Sequence, residues 1–144
     1  MPVGPNGTTV DAMPELAGVH HVALSVRDRI ASRDWYVDVL GFAALMDADL
    51  EGTTVSLIAH PATGLVIGIR RHAQGGNDEF SEFRTGLDHL SWRVPVRAEL
   101  ETWAKHFEQK GVSYSPITDA PYGSVLVFRD PDNIQLELIA DPGT

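Results

Sequence analysis

The stretch Gly18-Val19-His20-His21-Val22-Ala23-Leu24-Ser25-Val26-Arg27-Asp28 is echoed later by Gly86-Leu87-Asp88-His89-Leu90-Ser91-Trp92-Arg93-Val94-Pro95. Each reads as a strand that carries a histidine near its start and then leads into a helix. Side chains alternate across a strand, so Val22, Leu24 and Val26 share one face while His21, Ala23 and Ser25 share the other. In the second copy Leu90, Trp92 and Val94 oppose His89, Ser91 and Arg93. The bulky set belongs under the following helix, which leaves each histidine on the opposite face. The last apolar run, 134–140, obeys the same parity: Leu136 and Leu138 go to the core and Glu137 turns to the side of the histidines.

Working outward, each half of the chain follows the same order. A helix over 30–40 ends at Gly41, and strands are expected over 43–48, 54–59 and 65–70. The polar stretch 72–85, with Gly75-Gly76-Asn77-Asp78, reads as a linker. The second half places a helix over 98–110, with Leu100, Trp103, Ala104 and Phe107 on its apolar stripe and Gly111 as its stop. Strands over 113–116, 124–128 and 134–140 complete it, with a turn at Asp130-Pro131-Asp132-Asn133. The expected fold is therefore α+β: tandem βαβββ modules forming a curved mixed sheet around a central cleft. A flexible N-terminal tail spans 1–17 and a single domain spans 18–144, with module one at 18–71, the linker at 72–85 and module two at 86–141.

Composition narrows the functional classes. The chain has 144 residues, 43% of them hydrophobic, which suits one domain with a real core. Eleven Lys and Arg face twenty Asp and Glu, a formal charge of −9, so the clustered cations of a nucleic-acid surface are missing. No run reaches the length of a membrane span and no signal-like segment opens the chain, so a cytoplasmic protein is expected. With no cysteine, thiolate metal sites and cysteine nucleophiles are excluded. Two imidazoles and a carboxylate on matching faces (His21, His89 and Glu137) suit a divalent metal such as iron, manganese, zinc or nickel, and leave coordination positions open for substrate. Arg70 and Arg93 take the same parity and are candidates to bind an anionic group of a small-molecule substrate.

The pattern resembles the vicinal oxygen chelate superfamily, which includes glyoxalase I, methylmalonyl-CoA epimerase, extradiol dioxygenases, fosfomycin-resistance transferases and bleomycin-resistance proteins. The resemblance rests on 21–28, on Trp35-Tyr36-Val37-Asp38-Val39-Leu40-Gly41-Phe42, on 86–90, and on Phe128-Arg129-Asp130-Pro131-Asp132-Asn133 running into Leu136-Glu137-Leu138. It implies that His21, His89 and Glu137 are metal ligands and that the chain forms a homodimer. Gly68 stands where glyoxalase I and the epimerase carry a fourth ligand, which points to a three-ligand site. The activity implied is a metal-dependent lyase or isomerase, or an extradiol-type dioxygenase. The alternative is a non-catalytic protein of the bleomycin-resistance type that sequesters a drug or metabolite.

Overall fold

The computed structural model describes residues 12–144, so the first eleven positions of the expected tail lie outside the described residues; 12–21 carry no regular element. Module one runs β1 (Val22–Ser25), α1 (Arg29–Leu40), β2 (Ala43–Leu50), β3 (Thr53–Ala59) and β4 (Val66–His72). Module two runs β5 (Leu90–Arg93), α2 (Ala98–Lys110), β6 (Thr118–Ala120), β7 (Gly123–Arg129) and β8 (Gln135–Ala140). Their sheets have matching orders, β1-β4-β3-β2 and β5-β8-β7-β6, and in each the first strand pairs in parallel with the last. The expected repeat is therefore present as α+β modules in tandem.

Local chemistry sets the helix ends. Asp28 caps α1 by accepting the Ala31 N–H, and Gly41 closes the helix at φ 77, a left-handed conformation that favours glycine. The apolar face of each first strand packs under its helix as the alternation predicts. Leu24, Ile67, Ile69, Tyr36 and Leu40 from module one join Leu100, Phe107, Leu126, Phe128 and Leu136 from module two in one continuous core. Trp35 stacks on Phe128, with ring centroids 6.4 Å apart, and Phe42 meets Trp92 edge-on at 6.3 Å. The modules thus share a core built from their helix-covered sides, and the opposite sheet faces lie on its outside. His21, Ala23 and Ser25 are on one of those faces, and His89, Ser91 and Arg93 on the other.

One strand is displaced from its expected place. Residues 113–116 do not form a strand: Tyr114 makes an isolated bridge to Phe128, and β6 starts at Thr118. Pro116 has no N–H to give a ladder there. Asp119 instead accepts hydrogen bonds from Arg97 and Ser124, which fix the chain beside β7. The 72–85 segment is not a bare tether. Its Phe80 N–H donates to Asp132 O, and Glu82 takes two nitrogens of Arg129.

Candidate metal centre

Module two brings together two of the three expected ligands. In the parallel β5–β8 ladder Ser91 stands directly opposite Glu137, and the Ser91 hydroxyl donates to Glu137 Oε1 at 2.8 Å. His89 lies two residues before Ser91 on the same face, which sets its Nε2 4.0 Å from Glu137 Oε1. The side chain of Glu137 is only 14% exposed, whereas that of His89 is 42% exposed.

The imidazole is oriented from behind. Asp88 Oδ1 lies 2.7 Å from His89 Nδ1, and an ionised carboxylate can only accept, so Nδ1 carries the proton. That leaves the lone pair on Nε2, the nitrogen turned toward Glu137. The Gln135 amide holds Asp88 in turn, donating to its Oδ1 and to its backbone carbonyl, each at 3.1 Å. Gln135, Asp88, His89, Glu137 and Ser91 therefore form one chain across the outer face of the sheet. Neither Asp88 nor Gln135 stands out in the sequence. The available signal is an acidic residue adjoining a strand-entry histidine, with an amide two places before the carboxylate.

His21 is elsewhere. It precedes β1 on the outer face of module one, where its Nδ1 faces that of His20 at 2.9 Å. Among the described residues, no three histidine, aspartate or glutamate side chains gather closely enough in one chain to hold a metal ion. Arg70 and Arg93 likewise sit on different sheets. Arg93 is exposed and its Nε pairs with Asp141 at 2.8 Å. Arg70 is half-buried between Ser25 and Val55 on the neighbouring strands, on the face it shares with Gly68.

The donor chemistry of the His89–Glu137 pair fits two adjacent positions of a divalent ion. Bonds of about 2.1 Å place neighbouring ligand atoms roughly 3.0–3.5 Å apart, so the observed gap needs to close by less than about 1 Å. At Gly68 no polar group replaces a fourth ligand. A Cβ built there would meet Ala23 Cβ, Leu57 Cδ2 and Val55 Cγ2 at 3.6, 3.7 and 3.9 Å, an apolar floor. Further along the same face His72 Nδ1 is 2.6 Å from Thr53 Oγ1, beside an open cavity of ≈ 630 Å³ lined also by Ser25 and Glu51. The remaining histidines serve the scaffold. His60 Nε2 contacts Leu40 O, and His106 Nε2 contacts Val39 O across the module boundary.

Residues 18–138 match the family described as "Glyoxalase/Bleomycin resistance protein/Dioxygenase superfamily". A curated relative, "Putative ring-cleaving dioxygenase MhqA" of Bacillus subtilis (strain 168), is 29% identical over 132 residues. That match takes in 86% of this chain but only 40% of the relative, so the chain spans well under half of its length. A glyoxylase/bleomycin resistance protein/dioxygenase domain from Frankia sp. EAN1pec is 37% identical, with TM-score 0.82 over 90% of this chain and 96% of that one. A mutant of the fosfomycin resistance protein FosX from Listeria monocytogenes, crystallised with Mn(II) and 1S,2S-dihydroxypropylphosphonic acid, has TM-score 0.71. At 17% identity, covering 90% of this chain and 95% of that one, it shows the common fold alone.

Proposed function

For a chain that belongs to the glyoxalase/bleomycin resistance protein/dioxygenase superfamily, we propose a divalent-metal-dependent enzyme that acts as a homodimer on a small substrate chelated through vicinal oxygens. In this reading His89 and Glu137 of one copy meet His21 of a second copy. The observation that carries it is the split of the ligand set: His89 Nε2 and Glu137 Oε1 lie 4.0 Å apart on one outer face, with His21 on the outer face of the other module. A second copy that laid its module-one face over this module-two face would complete the triad.

The chain's own residues have definable roles. Asp88 keeps the proton on Nδ1 and the Nε2 lone pair free, and Ser91 fixes Glu137 Oε1, the oxygen nearest His89 Nε2, through one of its lone pairs and leaves the other for an ion. Arg70 and Arg93 are the cationic candidates for an anionic substrate group. A divalent ion bound by the triad would supply Lewis-acid polarisation of the chelating oxygens, or, as iron, activation of dioxygen. The likeness to the Bacillus ring-cleaving dioxygenase supports the ring-cleaving branch over lyase or isomerase chemistry. The Mn(II) in the FosX crystal supports a divalent ion in general. The second reading, sequestration of an apolar small molecule without chemistry, is supported by the hydrocarbon floor at Gly68.

Subunit mixing tests the proposal. His21→Ala and His89→Ala proteins should each lose tight binding of Mn(II) or Fe(II). Co-refolded as mixed dimers, they should regain up to one site per mixed dimer, because one of the two composite sites is then intact. No regain in a population shown to contain mixed dimers would overturn the shared site. Full metal uptake by both single variants would overturn the ligand assignment and leave the binding protein.

A further inference from the structure

We propose that the outer face of module one is the substrate seat, and that it takes a flat apolar body bearing one carboxylate, held by Arg70. This rests on the reading of that face as one wall of the composite cleft, and it adds the substrate class. Arginine partnering in this chain supplies the first observation. Of its nine arginines, Arg27, Arg29, Arg33, Arg84, Arg93, Arg97 and Arg129 pair with carboxylates, and Arg71 donates to Gly76 O. Arg70 alone has neither an ion-pair nor a hydrogen-bond partner for its side chain among the described residues, although the chain carries twenty acidic side chains. An arginine that is half-buried yet unpaired in so acidic a protein is suited to a carboxylate brought from outside.

The second observation is what lies beside it. Arg70 is two residues after Gly68 on β4, so the two share a face and stand about 7 Å apart along the strand. Ala23, Val55 and Leu57 surround the Gly68 position, and Met46 and Ala48, paired to Leu57 and Val55, extend the apolar surface across β2. A glycine there keeps the floor flat, and hydrocarbon on three sides offers nothing to a polar group lying over it. A planar ring or a short acyl chain fits this surface, with its carboxylate reaching the guanidinium fork in a two-pronged contact. A phosphonate dianion needs a second cation, and the other candidate, Arg93, is engaged by Asp141 on the other module.

Benzoate is the probe, with benzamide as its neutral control, titrated into metal-free and Zn(II)-loaded protein and followed by amide NMR shifts. Benzoate should shift residues of β1, β3 and β4 in both forms, and bind about tenfold or more tighter than benzamide. Arg70→Gln should abolish that preference while leaving benzamide binding unchanged, and Arg70→Lys should retain part of it. Phenylphosphonate should bind no tighter than benzoate. Equal affinities for benzoate and benzamide, or shifts confined to module two, would overturn the proposal. So would an Arg70→Gln variant that keeps the benzoate preference but dissociates into monomers, since Arg70 would then be paired by the second copy. The metal-free titration separates this proposal from the metal reading, because benzoate binding there does not depend on His89.

Discussion

Asp88 Oδ1 accepts the Nδ1–H of His89 at 2.7 Å, and this contact fixes which imidazole nitrogen can bind a metal. Partners behind a ligating histidine set its tautomer and basicity, and losing one weakens metal affinity by about 10–100-fold. Asp88→Ala should therefore lower Mn(II) affinity by about that factor. In the apo protein it should also release the Nε2 lone-pair tautomer, visible in the ¹⁵N shifts of the His89 ring. Gln135→Ala, one step further back, should do less. Calorimetry with Mn(II) checks the order; an Asp88→Ala protein with unchanged affinity and tautomer would remove the positioning role.

Tyr36 donates its phenol to Asp130 Oδ2 at 2.8 Å inside the shared core, linking α1 to the turn that follows β7. Burial pushes the Asp130 carboxyl up to about 6, against the help of hydrogen bonds from Tyr36 and the Ile134 and Asp132 backbone. The folded pKa lies above the unfolded one, so this group's contribution to stability is complete below about pH 3.8 and is lost as pH rises through about 6. Asp130→Asn keeps the acceptor oxygen for the two backbone donors and cannot ionise. Its stability should match wild type near pH 4 and exceed it by about 1–3 kcal/mol at pH 7. Chemical denaturation across that range checks it, and parallel curves for the two proteins would contradict the assignment. Tyr36→Phe should cost about 1–3 kcal/mol at pH 7 and less at pH 4, where the carboxyl is neutral.

Both of these contacts bear on how far the sequence alone could be read. The alternation 22, 24, 26 against 21, 23, 25 assigns each side chain to a face, and the structure keeps those faces. Period two cannot say which way a face looks once the modules pack, because that is decided by Trp35 meeting Phe128 and Phe42 meeting Trp92 across the core. The shared parity put His21, His89 and Glu137 on matching faces, and the structure sets His21 on the outer face of one module and the other two on that of the second. Asp130 read as a turn residue, and it is one. Its burial follows from Tyr36, 94 residues earlier, reaching it, a long-range fact that no local pattern carries. The misplaced β6 has a similar cause, since its position is set by Arg97 at the start of α2 holding Asp119.

β2 is an edge strand whose Leu45, Met46 and Leu50 are 57%, 56% and 50% exposed. Large exposed side chains gathered on an edge are a candidate surface for the second copy in the proposed homodimer. Met46→Lys should weaken self-association at least tenfold without altering the fold, as read by sedimentation equilibrium and circular dichroism. In the metal assay the same variant should lose affinity in step with dissociation, because the triad then no longer forms. A Met46→Lys protein that stays dimeric would place the dimer interface away from β2.

Gly68 and Gly123 should respond oppositely to the same change. At Gly123 the backbone has φ 148 and a Cβ would lie 2.5 Å from Ala140 O, on the adjacent strand. Neither strand can move without breaking the β7–β8 ladder, so Gly123→Ala should cost more than about 1–3 kcal/mol. At Gly68 the backbone is ordinary and a Cβ meets only ordinary contacts at 3.6–3.9 Å. Gly68→Ala should therefore be neutral or stabilise by about 0.4–1 kcal/mol through the unfolded chain. That extra methyl nonetheless roughens the apolar floor, so benzoate and benzamide should both bind more weakly to a protein that is no less stable. Thermal denaturation beside the ligand titration separates the two effects. A Gly68→Ala protein that melts earlier would show that the glycine is kept for the strand, and unchanged binding of both ligands would move the substrate seat off this face.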